Sequence, residues 1–338
     1  MMRKQSFQAR GFPLAWNMIC FLYGRSTSTD YFPLVVRKCK ELRLAMGIFI
    51  ESIISGILIG MSYAVLAAGL ALIFGVMKII NFAHAEFAVL AMYFPTYWFL
   101  NWWGIDPFIS AFIALPLFFF IGYLTQRLLI ERIIGTPEAE TSTLIITMGF
   151  SLLISNLILI GWSGAPRIIN QPYTMATWSI GNILINRAQT YSLFISLGLI
   201  GGLFLLLNKT LIGKAIKAAA DDPEGCAYMG INLHFVYALA FGLGIAVTAA
   251  GGCLMATYRP FHPFFGETII IILFASVILG GMTSIMGALL GGLIIGLVQQ
   301  LSVFVVPIAL QNVAVFTILV LFLYVRPQGI LGKKGRAV

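Results

Sequence analysis

The chain has 338 residues, of which 60% are hydrophobic and 10% carry a charge. Soluble domains are roughly 45–50% apolar and about 25% charged, so this chain lacks the polar residues to cover a water-facing surface. Its mean hydropathy of +0.96 excludes an ordinary soluble enzyme, a disordered chain and a collagen-like chain. Long unbroken apolar runs, not alternating strands of about ten residues, exclude a membrane β-barrel. The fold class is an all-α polytopic membrane protein.

The formal charge of +9 is unevenly placed. Residues 1–45 carry Arg3, Lys4, Arg10, Arg25, Arg37, Lys38, Lys40 and Arg43 against Asp30 and Glu41, a net +6. The remainder is only +3, so the charge points to a basic tail and loops and gives no sign of nucleic acid. The apolar piece Gly11–Tyr23 is too short to span a bilayer and has no A-x-A-like cleavage site. A natural start is visible at Met46, and residues 1–45 are read as an upstream extension outside the working protein. Cys20, Cys39, Cys226 and Cys253 show no CxxC or metal spacing.

A spanning helix needs about 20 mainly apolar residues. Segments 55–76, 84–100, 107–126, 142–162, 190–207, 234–256, 268–281, 285–303 and 311–325 qualify, with 268–281 short enough to be part of a broken helix. The expectation is a bundle of eight to nine crossings. Lys/Arg bias sets their orientation. Arg127 and Arg132, then Lys209, Lys214 and Lys217, then Arg326, Lys333, Lys334 and Arg336 fall on one side, the cytoplasm. Trp98, Trp102, Trp103, Trp162 and Trp178 fall near the other side, as an interfacial belt would.

Charge at bilayer depth is costly and usually functional. Glu86 and Glu267 stand at the starts of the second and seventh spans, with His84 close by. Alternating crossings place the block Asn81–Phe87 at the cytoplasmic end of the second span, where Glu86 either caps the helix or holds a gate. In the fourth span Thr143, Thr147, Ser151 and Ser155 recur every four residues, followed by Asn156. Such a stripe either lines a polar path for a small zwitterion or bonds helices together. Pairs at GxxxG spacing, Gly56/Gly60, Gly198/Gly202, Gly287/Gly291 and Gly292/Gly296, imply tight helix packing.

No GxxxxGK[ST], HExxH, GxSxG or Cys/His cluster is present. Nothing marks the chain itself as a nucleotide hydrolase or metalloenzyme. A buried Asp/Glu/His relay is also missing, which weighs against a self-sufficient secondary transporter without removing it. Residues 208–233 read as two short helices: an amphipathic one bearing Gly213, Lys214 and Lys217, then one capped by Asp222 with Pro223 and Glu224 in its first turn and Gly230 at its end. Such a unit either fits a partner's cleft or rests on the headgroups.

Four blocks carry a resemblance: GMSYAVLAAGLALIFGVMKIINFAHAEF (60–87), GKAIKAAADDPEGCAYMGIN (213–232), VILGGMTSIMGALLGG (277–292) and RPQGILG (326–332). Together they resemble the LivH-type permease subunits of branched-chain amino acid ABC importers, over roughly 47–332. One departure is Ala85, where that family usually has glycine. The resemblance implies a transmembrane permease domain over 46–332, a basic cytoplasmic tail at 333–338 and a multi-pass bacterial inner-membrane protein. It implies a second homologous permease, two cytoplasmic ATPases that hold ATP and Mg, and an external substrate-binding protein. No cofactor is implied on this chain. Loop 213–232 then looks like the ATPase-coupling element. The cargo stays open at this point between branched-chain amino acids and urea or short amides.

Overall fold

The computed structural model describes residues 32–134, 138–181 and 183–332. Most of the expected 1–45 extension and the whole 333–338 tail lie outside those residues. Chain contacts divide the molecule into Met1–Phe49 and Ile50–Val338. The described part of the first unit, residues 32–49, is helical.

The elements in chain order are α1 (Phe32–Met77), α2 (His84–Ala91), a π-helical stretch (Met92–Trp98) and α3 (Phe99–Trp103). Then come α4 (Pro107–Thr125), a second π-helical stretch (Gln126–Ile130) and α5 (Ala139–Trp162). Strands β1 (Thr177–Ile180) and β2 (Ile183–Asn186) precede α6 (Arg187–Lys209), α7 (Leu211–Asp221), α8 (Pro223–Tyr228) and α9 (Leu233–Ala256). The last are α10 (Phe265–Gly280), α11 (Ile285–Leu301) and α12 (Gln311–Val325). The fold is that of a helical membrane protein. It is not purely α, because β1 and β2 form an antiparallel hairpin with Thr177 opposite Asn186.

Among the described residues, six helical stretches are long and apolar enough to cross a membrane: Ala45–Met77, Pro107–Ile130, Ala139–Trp162, Arg187–Lys209, Leu233–Ala256 and Ile285–Phe304. This is fewer than the eight to nine expected. Two of the other segments, α10 and α12, are apolar but short. The third, 84–100, is interrupted. Pro95 has no N–H to give the Ala91 carbonyl, so the helix widens there and the Thr96 hydroxyl bonds that carbonyl at 2.9 Å. Gly104, at φ 65°, ends α3.

Side-chain caps set most helix starts where the sequence offers them. Asp106 accepts from the Phe108 N–H at 2.8 Å ahead of Pro107, and Asn186, Thr210, Asp222, Asn232 and Ser284 cap α6, α7, α8, α9 and α11 in the same way. The end of α1 is different. Lys78 takes the left-handed region at φ 55° while its N–H still bonds Phe74, and residues 78–83 run on without helix.

Helices α1 and α9 form the centre, with 89% of their most apolar windows buried against 22–33% for α4, α5 and α6. Their packing depends on absent side chains. A Cβ on Gly296 would strike Gly60, one on Gly292 would strike Ala64, and one on Gly252 would strike the Ala88 carbonyl. Three of the four GxxxG pairs are used inside the chain, since Gly287 and Gly291 likewise meet Gly280 and Ser276. Gly198 and Gly202 face open space. At the same end of α10, the Ile330 and Leu331 N–H groups bond Leu279 and Gly280, so the RPQGILG block clasps the helix end.

Gly296→Leu should therefore abolish a cooperative melt of the detergent-solubilised chain, whereas Gly198→Leu should shift the melting temperature by no more than a few degrees. Thermal size-exclusion profiles of both variants check this; equal tolerance would remove the packing account.

Candidate functional site

The non-helical stretch 78–83 delivers α2 into the middle of the bundle. The Phe82 N–H donates to the Thr147 hydroxyl at 3.2 Å, and Ala83 N–H donates to the Asn81 side chain at 3.0 Å. Thr147 is the ninth of the 24 residues of α5. The start of α2 thus lies well inside the bundle, not at the cytoplasmic end of a span as the alternating count expects. Breaking a helix at that depth exposes backbone donors, and polar side chains must meet them.

His84 is fully buried. Its Nε2 lies 3.2 Å from the Leu66 carbonyl and 2.7 Å from the Thr248 hydroxyl. A carbonyl only accepts, so Nε2 carries the hydrogen. The Thr248 proton goes to the Gly244 carbonyl at 2.8 Å, leaving its oxygen to accept from the imidazole. One histidine therefore joins α1, α2 and α9. Ala85, where the LivH-type pattern has glycine, is fully buried in the first turn of α2, and the helix starts normally around it.

Glu86 is 2% exposed. It does not cap α2, which has no side-chain cap. Its side chain instead points toward the place where α5 and α10 meet, and its Oε2 reaches no hydrogen-bond partner. Gly266 is pressed against it, so that a Cβ at 266 would overlap the carboxyl oxygens and carbon. The first turns of both α2 and α10, where free N–H groups make a positive end, meet at this carboxyl group. Glu86 therefore sits where α2, α5 and α10 meet.

Four of the five α5 residues gather here. Thr143, Thr147 and Ser155 are buried and Ser151 is half-buried. Thr143 and Ser155 donate back to carbonyls of their own helix at 2.6 and 3.1 Å, and Thr147 donates to Leu144. Asn156 departs from the group: it is exposed and bonds Leu152. In this conformation the stripe forms a seam between α2 and α5.

The 208–233 loop forms the expected pair of helices away from this seam. Asp222 accepts from Gly225 N–H at 2.9 Å, Pro223 takes the first position of α8, and Gly230 turns the chain out at φ 78°. Lys214, Lys217, Asp222 and Glu224 are exposed, and so are Leu211, Tyr228 and Met229. Gly213 is different. It is buried, and a Cβ there would strike Leu206 and Leu207 at the end of α6. Its part is to set the angle of α7 on α6, while the exposed residues face outward.

Gly266 and Thr248 had no signal in the sequence beyond being ordinary residues of apolar runs; only the crossing of helices gives them partners. Their coupling to Glu86 and His84 is testable. Gly266→Ala should destabilise the chain by about 1–3 kcal/mol, the usual range for overpacking. In a Glu86→Ala background the same change should be nearly neutral, because the obstructing carboxyl group is gone. Melting curves of the two single variants and the double variant supply the cycle; additive losses would show that the contact is not made.

Comparison with known proteins covers this same architecture. Residues 52–325 match the family described as branched-chain amino acid transport system / permease component. The chain is similar to the high-affinity branched-chain amino acid transport permease LivH of Escherichia coli, 28% identical over 304 residues, covering 84% of this chain and 96% of that one. It is similar to BraD of Pseudomonas aeruginosa, 27% identical over 300 residues with the same coverage of each chain. A probable LivH of Methanocaldococcus jannaschii is 29% identical over 282 residues, covering 79% of this chain and 87% of that protein. The matched region takes in the α2–α5–α10 seam and the α7–α8 pair alike, and the chain belongs to the branched-chain amino acid transport permease family.

Proposed function

We propose that this chain is the permease subunit of an ATP-binding cassette importer and forms the translocation path for branched-chain amino acids. The observation that carries this reading is the family match across 52–325, which extends over the bundle and the outward-facing α7–α8 pair. The chain itself bears no nucleotide-binding motif. ATP and Mg then sit on two cytoplasmic ATPases, a second homologous permease completes the path, and an external binding protein delivers the cargo. The relatives' names favour branched-chain amino acids over urea or short amides.

The permease domain is 46–332, read with eight to nine crossings if the short and interrupted segments are counted with the six long helices. The six long helices are joined by the interrupted stretch 84–103, by α10 and by α12. Counting from the C-terminal side, Arg326 and the α7–α8 lysines then share one face, which the Lys/Arg bias makes cytoplasmic. The hairpin and Trp102 and Trp103, both strongly exposed, share the other. On this arrangement α7–α8 docks on an ATPase. The seam from Thr143 to Ser155, with Glu86, supplies the interior hydroxyl and carboxyl groups that a zwitterion needs. Opening that seam requires α2 to part from α5.

Reconstitution of the whole complex in vesicles tests the reading. Leucine uptake should require ATP, the ATPases and the binding protein together; uptake by this chain alone under an ion gradient would overturn it. For the docking pair, Glu224→Lys and Tyr228→Asp should each lower binding-protein-stimulated ATP hydrolysis at least tenfold with membrane insertion unchanged. Full stimulation in both variants would move the docking site elsewhere.

A further inference from the structure

Two arginines of the hairpin end are committed to its architecture. Arg167 donates to Tyr97, Trp162 and Ser163, and its backbone bridges to Phe261. Arg187 stacks on Trp178. Arg259, in the turn between α9 and α10, is different. It is partly exposed, and one of its terminal N–H groups donates to the Tyr63 hydroxyl at 2.9 Å. Its guanidinium carbon lies 5.9 Å from the Tyr63 ring centre. Among the described residues it has no carboxylate partner. Asp106 is taken by Tyr173 and by the α4 cap, and Glu267 lies against Glu86.

The support behind Arg259 is buried and rigid. Tyr63 is fully buried and passes its own proton to Gln299 Oε1 at 2.8 Å, so the phenol oxygen is oriented to accept from the guanidinium. Beside them the buried Ser62 and Tyr258 hydroxyls adjoin one another, and neither reaches a partner at normal hydrogen-bond geometry. The cluster thus presents a pre-oriented guanidinium that has no carboxylate partner among the described residues. A guanidinium matches a carboxylate in two parallel bonds, and a rigid backing lowers the cost of presenting it.

We infer that Arg259, held by Tyr63 and Gln299, receives the α-carboxylate of the amino acid at the hairpin-side mouth of the permease. This rests on the amino-acid importer reading and deepens it, since it assigns a specificity element to the permease itself.

The test uses the assembled complex. Arg259→Gln keeps a donor for Tyr63 and removes the charge. It should lower leucine uptake at least tenfold, while subunit assembly stays within twofold of wild type. Direct binding to the complex without binding protein, read by saturation-transfer NMR with leucine and leucinamide as probes, should favour leucine at least tenfold. That preference should vanish in Arg259→Gln. Arg259→Lys, which keeps charge but not the two-bond match, should reduce the preference at least threefold and serves as the assay if the glutamine variant assembles poorly. Uptake in Arg259→Gln within twofold of wild type, equal binding of leucinamide by the wild type, or an undiminished preference in Arg259→Lys would each overturn the inference. Absence of ATP-driven leucine uptake by the wild-type complex is a separate result, and it would overturn the importer reading instead.

Discussion

Close backbone approach between helices is the constraint on which the rest of this structure depends. In lipid, an apolar side chain gains little by exchanging hydrocarbon for protein, so helices must hold one another by tight contact and by hydrogen bonds. Here the contact is made by missing side chains. Gly69 of α1 meets Gly244 and Thr248 of α9, Gly60 meets Gly296 of α11, and Gly252 meets Ala88 of α2. These contacts draw α1, α9 and α11 to the centre and leave α4, α5 and α6 with wide apolar faces outside. The same closeness brings Thr248 within hydrogen-bonding range of His84.

Once the centre is packed this tightly, the interrupted helices have a reason for their polar neighbours. The chain leaves α1 at Lys78 and restarts only at His84, and Pro95 breaks the ladder again. Each break frees backbone groups where no water reaches. Thr147 answers the Phe82 N–H, Asn81 answers the Ala83 N–H, and Thr96 answers the Ala91 carbonyl. The α5 hydroxyls are thus partners of a broken backbone before they are anything else. That double duty makes α2 the element whose displacement would open the polar interior.

The two ends of the molecule differ in chemistry. At one end, Tyr173 bonds Asp106 and stacks near Phe108 and Tyr191, and its hydroxyl is held above the ordinary tyrosine range by burial and then by the Asp106 charge. Arginines and aromatic rings dominate there. At the other end the exposed face of α7–α8 mixes apolar Leu211, Tyr228 and Met229 with lysines and acids. Exposed apolar residues of that size outside the spanning segments fit an interface with another protein better than contact with water.

Read alone, the sequence already carries the class of fold, the position of most helices and the architecture of the α7–α8 pair. Those features depend on local composition: runs of apolar residues, caps such as Asp222 and Asn232, and prolines at helix starts. It also singled out Glu86 and the α5 stripe, because charge and hydroxyls are conspicuous against an apolar background. Tertiary structure alone decided what those residues touch. The depth of Glu86 depends on six non-helical residues that carry the chain inward, which a count of alternating spans does not register. Gly213, expected in the coupling loop, is buried against Leu206 and Leu207 of the preceding helix, a contact no local pattern announces. Gly266, Thr248 and the Arg259–Tyr63–Gln299 chain are set by crossings between helices as much as 236 residues apart in sequence, and no local pattern records where helices cross.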